Sequence, residues 1–241
     1  MRLHAFACCV LASVLVGRAS AQPATSAQPA VSAQTTASAQ TNVSANDLAQ
    51  TLQKKYATIR DFSADFVHTY QGGVLKKAIT EKGRLSIKKP GKMRWDYTTP
   101  EIKQFVSDGV KIYSYIPADK QVFVGSIPQD DNAGSPALFL TGKGDIIRDY
   151  AVSSGEVPAG SAPGTRALKL VPHKPQQDYD WLVLLLDPVS LTLRGMVTAD
   201  AQGGRSVFTF SGLKENVGLQ DKDFVFRMPR GVDVVTDAGG R

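Results

Sequence analysis

Apolar and polar residues alternate with a period of two through most of this chain, the pattern of strands that bury one face. Phe62, Ala64, Phe66, His68 and Tyr70 alternate with Ser63, Asp65, Val67 and Thr69. After Gly72-Gly73 a strand region runs from Val74 to Ile87, with a kink expected at Gly83. Gly83 to Ser126 holds short runs in series: Leu85-Ser86-Ile87, Met93 to Tyr97, Gln104 to Ser107, Val110 to Ile116 and Gln121 to Val124. Their separators are Pro90-Gly91, Asp108-Gly109 and Pro117 to Lys120, all short turn signals. Strands joined this closely are antiparallel neighbours, since parallel pairing needs a long crossover. One face of this meander has Trp95, Tyr97, Phe105, Tyr113, Tyr115 and Phe123 available to it.

Departures from the alternation mark the helices. Leu48, Leu52, Tyr56 and Ile59 recur at helical spacing, which predicts a helix capped by Asn46 or Asp47 and running to about Tyr56. Pro136 to Leu140, followed by Thr141-Gly142, has the proline start and glycine stop of a short helix, and Ile146 to Tyr150 suits another. Leu138, Phe139 and Leu140 cannot all face one way on so short an element, so it is expected to cover something apolar. Strands resume at Tyr150 to Ser153, Ala167 to Val171, Trp181 to Leu186, Leu193 to Ala199, Ser206 to Leu213 and Phe224 to Met228. The expectation is mainly β: about eleven antiparallel strands with a few short helices.

The N-terminus has a different character. Arg2, the apolar run Ala5 to Val16 and the small residues Ala19-Ser20-Ala21 form a secretory leader over residues 1–21. That run is shorter than the ~20 residues of a membrane span. Residues 22–45 repeat Ser-Ala-Gln without a charged residue and read as an unstructured spacer before a single domain over 46–241. Cys8 and Cys9, the only cysteines, lie in the leader, so an exported chain is left without thiol chemistry. Export also changes the meaning of charge. The formal charge is +6, or +4 once Arg2 and Arg18 are lost with the leader. For an exported chain, lysines such as Lys88, Lys89 and Lys92 point away from nucleic acid and toward an anionic lipid surface or an acidic partner protein; the plainer reading is lysine keeping a strand edge soluble.

Catalytic constellations are not found. Of the three histidines, His4 is in the leader, and His68 and His173 stand apart with no metal-ligand spacing. Gly142-Lys143-Gly144-Asp145 lacks the leading glycine and following hydroxyl of a phosphate loop. No serine lies in a Gly-x-Ser-x-Gly elbow. The chain is read as a protein that is not an enzyme and needs no cofactor or metal.

Several of these stretches together resemble a known family. Pro90 to Tyr97, Pro100, Val106-Ser107-Asp108-Gly109, Tyr113-Ser114-Tyr115 and Gln121-Val122 are similar in order and kind to the LolA family of periplasmic lipoprotein carriers. So are Phe62 to Phe66, Ser135 to Gly142, Asp223-Phe224 and Pro229 to Val232. The resemblance implies an incomplete antiparallel barrel under a helical lid. It implies a carrier that takes triacylated lipoproteins from an inner-membrane lipoprotein-releasing ABC complex, crosses the periplasm as a monomer, and delivers them to an outer-membrane receptor. On this reading Phe66, Trp95, Tyr97, Phe105, Tyr113 and Phe123 wall a lipid cavity, and Leu138, Phe139 and Leu140 form the lid. One departure stands out: where the family has an arginine before a proline to latch the lid, this chain has Lys89 before Pro90, a point charge without the planar fork. Lys89 can still donate to lid carbonyls but with fewer bonds, so a looser lid and easier release are expected. The rival readings are a carrier or sensor of another lipid on the same fold. Sensors of this kind usually carry a further domain, for which the chain is too short after the barrel.

Overall fold

The computed structural model describes residues 44–72, 78–127, 136–176, 179–200 and 202–236. The expectations for the leader, most of the spacer, the turn at Gly73, the loop following Ile127 and the side chain of Leu138 lie outside what is described.

A first helix, α1 (Ala45–Thr58), precedes strand β1 (Asp61–Gln71). Its cap is Ser44, whose hydroxyl accepts the Asp47 backbone N–H at 3.1 Å. The helix therefore starts earlier than Asn46 or Asp47 would place it, and Asp47 instead sits in the first turn, where a carboxylate suits the helix dipole. Next come β2 (Ala78–Lys88), β3 (Lys92–Thr99), β4 (Lys103–Asp108), β5 (Lys111–Ile116) and β6 (Gln121–Ser126). Two short helices follow, α2 (Pro136–Leu140) and α3 (Ile146–Asp149). The chain then returns to strands: β7 (Tyr150–Ser154), β8 (Arg166–Pro172), β9 (Trp181–Leu186), β10 (Leu193–Ala199), β11 (Arg205–Glu215) and β12 (Asp233–Thr236).

All twelve strands form one sheet in the order β12-β6-β5-β4-β3-β2-β1-β11-β10-β9-β8-β7. β1 pairs with both β2 and β11, so the two hairpin meanders join through it. The two edges, β12 and β7, do not pair with each other, and the barrel is open. Among the described residues every strand pairing is antiparallel except β12 on β6.

The inner face carries the main core. Phe62, Leu85, Ile87, Leu168, Leu170, Leu182, Leu184 and Leu186 are all buried there, with Leu48, Ala49 and Leu52 of α1 packed into the same cluster. Each large side chain so buried contributes about 1.5–3 kcal/mol of transfer free energy. β9 reads as a near-continuous apolar run because its other face is covered too. Val183 and Leu185 join Val197 in a second, outer cluster, and Gly155 packs against Val183. Arg194 holds the covering loop by donating to the Pro163 carbonyl at 3.2 Å and the Thr165 hydroxyl at 2.9 Å.

One expected strand is absent. Phe224 to Met228 alternates as a strand should, yet residues 221–224 form a 3-10 turn and 225–230 pair with no strand. The alternation is real but serves packing: Phe224 is fully buried and the Phe226 ring stacks on Tyr113 at 5.0 Å. Pro229 has no N–H to give a ladder. The segment crosses the outer face of β3 and β4, where Arg94 reaches the Asp223 carbonyl, and the chain joins the sheet only at β12.

Candidate functional site

The cross-strand register decides which side chains share the inner face. Leu85 pairs with Trp95 and Trp95 with Phe105, so these point the same way; Gly83 pairs with Tyr97. Phe105 pairs with Ser114, and Ser114 with Phe123. Tyr113 pairs instead with Val106 and therefore faces outward, as does Tyr115. The β4–β5 turn has two residues, Gly109 at φ +100° and Val110, with the Asp108 carboxylate accepting the Val110 and Lys111 N–H groups. A two-residue loop makes paired residues differ in parity, so Phe105 and Tyr113 cannot share a face.

An apolar cavity of 280 Å³ lies on the inner face. Met93, Trp95, Tyr97, Phe105, Met196 and Phe208 are among its walls, with Pro136 and Ala137 of α2 closing one side. Of the six wall residues expected from the sequence, Trp95, Tyr97 and Phe105 line it. Phe66, only 2% exposed, stands behind, its ring edge-on to Trp95 at 5.1 Å and to Tyr97 at 4.9 Å. That close packing is possible because Gly83 faces it: a Cβ there would come within 2.7 Å of the Phe66 ring. Phe123 is on the same face two strands beyond and is 47% exposed. Sequence reasoning missed Met196 and Phe208. They come from β10 and β11, and the signal available was their alternation with Val197 and Val207, which no motif tied to the first meander.

α2, the expected lid, is divided in its contacts. Pro136 and Ala137 face the cavity, whereas Phe139 and Leu140 turn toward α1 and line a smaller cleft with Leu52 and Tyr56. Phe139 stacks parallel to Tyr56 and edge-on to Tyr150. The Tyr56 hydroxyl donates to the Leu140 carbonyl, and the Gly91 N–H to the Thr141 carbonyl at 3.2 Å.

Lys89 does not act as the simple latch expected. Its ammonium donates to the Tyr56 carbonyl, on α1, and lies 3.3 Å from the centroid of the Tyr56 ring. Its stem passes so close to Gly142 that a Cβ at that position, where φ is +82°, would fall 2.9 Å from the lysine Cδ. The connection to the lid is thus relayed: Lys89 fixes Tyr56, and Tyr56 holds Leu140. Burial pushes the Lys89 ammonium down to about 8, with Glu215 opposing the shift. Burial also raises the Tyr56 and Tyr97 phenols far above the ordinary range, so both hydroxyls stay protonated donors.

His68 is not isolated. Its Nδ1 lies 3.0 Å from Glu81 and its Nε2 3.2 Å from the Ser206 hydroxyl, while Lys103 pairs with the other Glu81 oxygen at 2.5 Å. Among the described residues, no three His, Cys, Asp or Glu side chains gather as a metal site.

Comparison with known proteins now places the chain. Residues 57–227 match the family model described as outer membrane lipoprotein carrier protein LolA. The chain belongs to the LolA family. It is 30% identical over 193 residues to an outer-membrane lipoprotein carrier protein of Chromohalobacter salexigens, covering 79% of this chain and 88% of that one. It is 32% identical over 179 residues to the protein of that name from Chromobacterium violaceum, covering 73% and 82%. A third such carrier, from Hahella chejuensis, is 31% identical over 183 residues, covering 75% and 84%. The open, mainly β architecture is the one that LolA membership leads one to expect.

Proposed function

We propose that this LolA-type carrier shelters the acyl chains of triacylated lipoproteins in the periplasm. On this reading it receives them from an inner-membrane lipoprotein-releasing ABC complex and yields them, as a monomer, to an outer-membrane receptor. The observation that carries the proposal is the aromatic-walled cavity between the sheet and α2. Acyl chains gain about 0.8 kcal/mol per buried methylene, which is the reason such a cargo needs cover in water. At 280 Å³ the cavity is slightly smaller than the ~300–1,000 Å³ typical of small-molecule sites. Three long chains need more room, so the lid must swing away as they enter. The Tyr56, Phe139 and Leu140 contacts then compete with the cargo, and that competition keeps net affinity moderate without an energy source.

The test is mass spectrometry of lipid co-purified from periplasm with the native protein and with Ala137→Trp, which fills the cavity from the lid side. Triacylated protein on the native chain, strongly reduced on the variant, supports the proposal. A free glycolipid or phospholipid in its place transfers the function to another lipid. Equal recovery on both proteins removes the cavity from the mechanism.

A further inference from the structure

The inner face changes character abruptly along the strands. On β10 the cavity residue Met196 is followed two positions on by Thr198; on β11 Phe208 is preceded by Ser206. On β1 Phe66 gives way to His68, on β2 Gly83 to Glu81, and on β4 Phe105 to Lys103. Steps of two residues keep each pair on one face of the sheet. The register agrees: Thr198 is opposite Ser206, His68 opposite Glu81, and Lys103 opposite the cavity residue Tyr97. The result is a polar belt across five strands along one side of the apolar cavity.

The belt is joined to the cavity wall. His68 stacks flat on Phe208 at 4.1 Å, and the Lys103 ammonium lies 4.5 Å from the Tyr97 ring centroid. The side chains of His68, Glu81 and Lys103 are only 13%, 12% and 19% exposed. Largely buried charges flanking an apolar hollow are not explained by stability, since apolar residues in such places usually serve as well. The charges also balance: one carboxylate meets one ammonium, and burial lowers the imidazole, with Glu81 opposing, which favours its neutral form. A balanced, hydrogen-bonding belt beside a greasy chamber has the layering of an acylated molecule, hydrocarbon first and then uncharged dipolar linkages.

We propose that the belt of His68, Glu81, Lys103, Ser206 and Thr198 is a subsite for the ester and amide carbonyls at the head of the bound acyl chains. It fixes their direction, tails toward α2 and linkages toward Lys103. The proposal rests on the carrier reading above. Lys103 supplies the charged donor, having N–H groups beyond the one it gives Glu81; the Ser206 hydroxyl, which donates to the neutral His68 ring in the structure, turns to the ligand as the second donor, and Glu81 holds Lys103 and His68 in place. An adjacent phosphate gains little, because Glu81 already neutralises the belt's single positive charge.

Two short-chain probes separate this proposal from the carrier reading: decanoyl glycerol, which has an ester carbonyl, and decyl glyceryl ether, which does not. Their affinities are measured by calorimetry on the native protein and on Glu81→Gln/Lys103→Met, which removes both charges and leaves neither stranded. A second variant, Ser206→Ala, barely disturbs packing. The native protein is expected to prefer the ester about tenfold, the worth of one charge-assisted hydrogen bond. The preference should vanish in the double variant, shrink in Ser206→Ala, and leave ether binding within twofold of native. Equal native affinity for ester and ether overturns the subsite while the carrier reading stands. Failure of both probes to bind the native protein overturns both. A synthetic triacylated lipopeptide and a lysophosphatidylglycerol, run as further arms, assign the source of the carbonyls: the one whose affinity falls in the double variant supplies them, and no fall in either counts against the subsite.

Discussion

Replacing Tyr56 by phenylalanine keeps the ring that stacks on Phe139 and removes one oxygen. That oxygen donates to the Leu140 carbonyl, and Leu140 is 1% exposed, so the carbonyl is left buried without its donor. Such a loss costs about 1–3 kcal/mol. The bond joins α1 to α2, so the cost falls on lid closure, and the closing equilibrium should drop about five- to 150-fold. Hydrogen exchange followed by mass spectrometry reads this directly. Amides of Phe139 to Gly142 should exchange faster by that factor, while those of Leu182 to Leu186 in β9, at the centre of the core, change far less. The affinity for an acyl ligand should rise, because the lid contacts that compete with the ligand are weaker. If lid amides speed up less than twofold, or if β9 accelerates equally, the bond does not hold a separately moving lid and the competition argument fails.

Three other outcomes follow from the same structure. Lys89 releases its proton near pH 8 in the folded chain, against 10.5 for the ordinary side chain. Between those values the unfolded chain binds more protons, so the Lys89 contribution to stability rises with pH there. Denaturant titrations at pH 7 and 10 should show native protein gaining on Lys89→Met, and a difference independent of pH would contradict the burial argument. Phe224→Ala should cost about 3–5 kcal/mol in global stability, as a fully buried aromatic does, without speeding lid exchange relative to β9 exchange; selective loosening of the lid would show that the outer face communicates with it. Tyr113→Leu should leave acyl-ligand affinity within twofold of native, because Tyr113 faces away from the cavity; a tenfold loss would place it in the binding path.

Much of this architecture was legible in the alternation of side chains. The runs at Phe62, Met93, Gln104, Trp181 and Leu193 all became strands, since each buries one or both faces and period two says so locally. What failed was non-local. Phe224 and Phe226 alternate like a strand, but alternation records which side is buried and is silent about whether a neighbouring backbone is there to pair. β12 is short, exposed and parallel to its neighbour, so its burial leaves almost no pattern to read. The site was legible in part. Trp95, Tyr97 and Phe105 follow from one meander, whereas Tyr113 required attention to turn parity, and Met196 and Phe208 required knowing that β1 joins the two meanders. The partner of Lys89 was not legible, because it is a backbone carbonyl of α1, which carries no side-chain signature. His68 looked solitary because Glu81 and Ser206 reach it, and Lys103 reaches Glu81, only from other strands.

The outer coverings have a consequence of their own. Phe224 and its neighbours brace the back of the sheet at one end, and the loop held by Arg194 braces it at the other. A shell stiffened from behind need not rely on what fills its hollow. On the carrier reading, such a shell gives up one cargo and takes another with its shape kept, as a reusable vessel must.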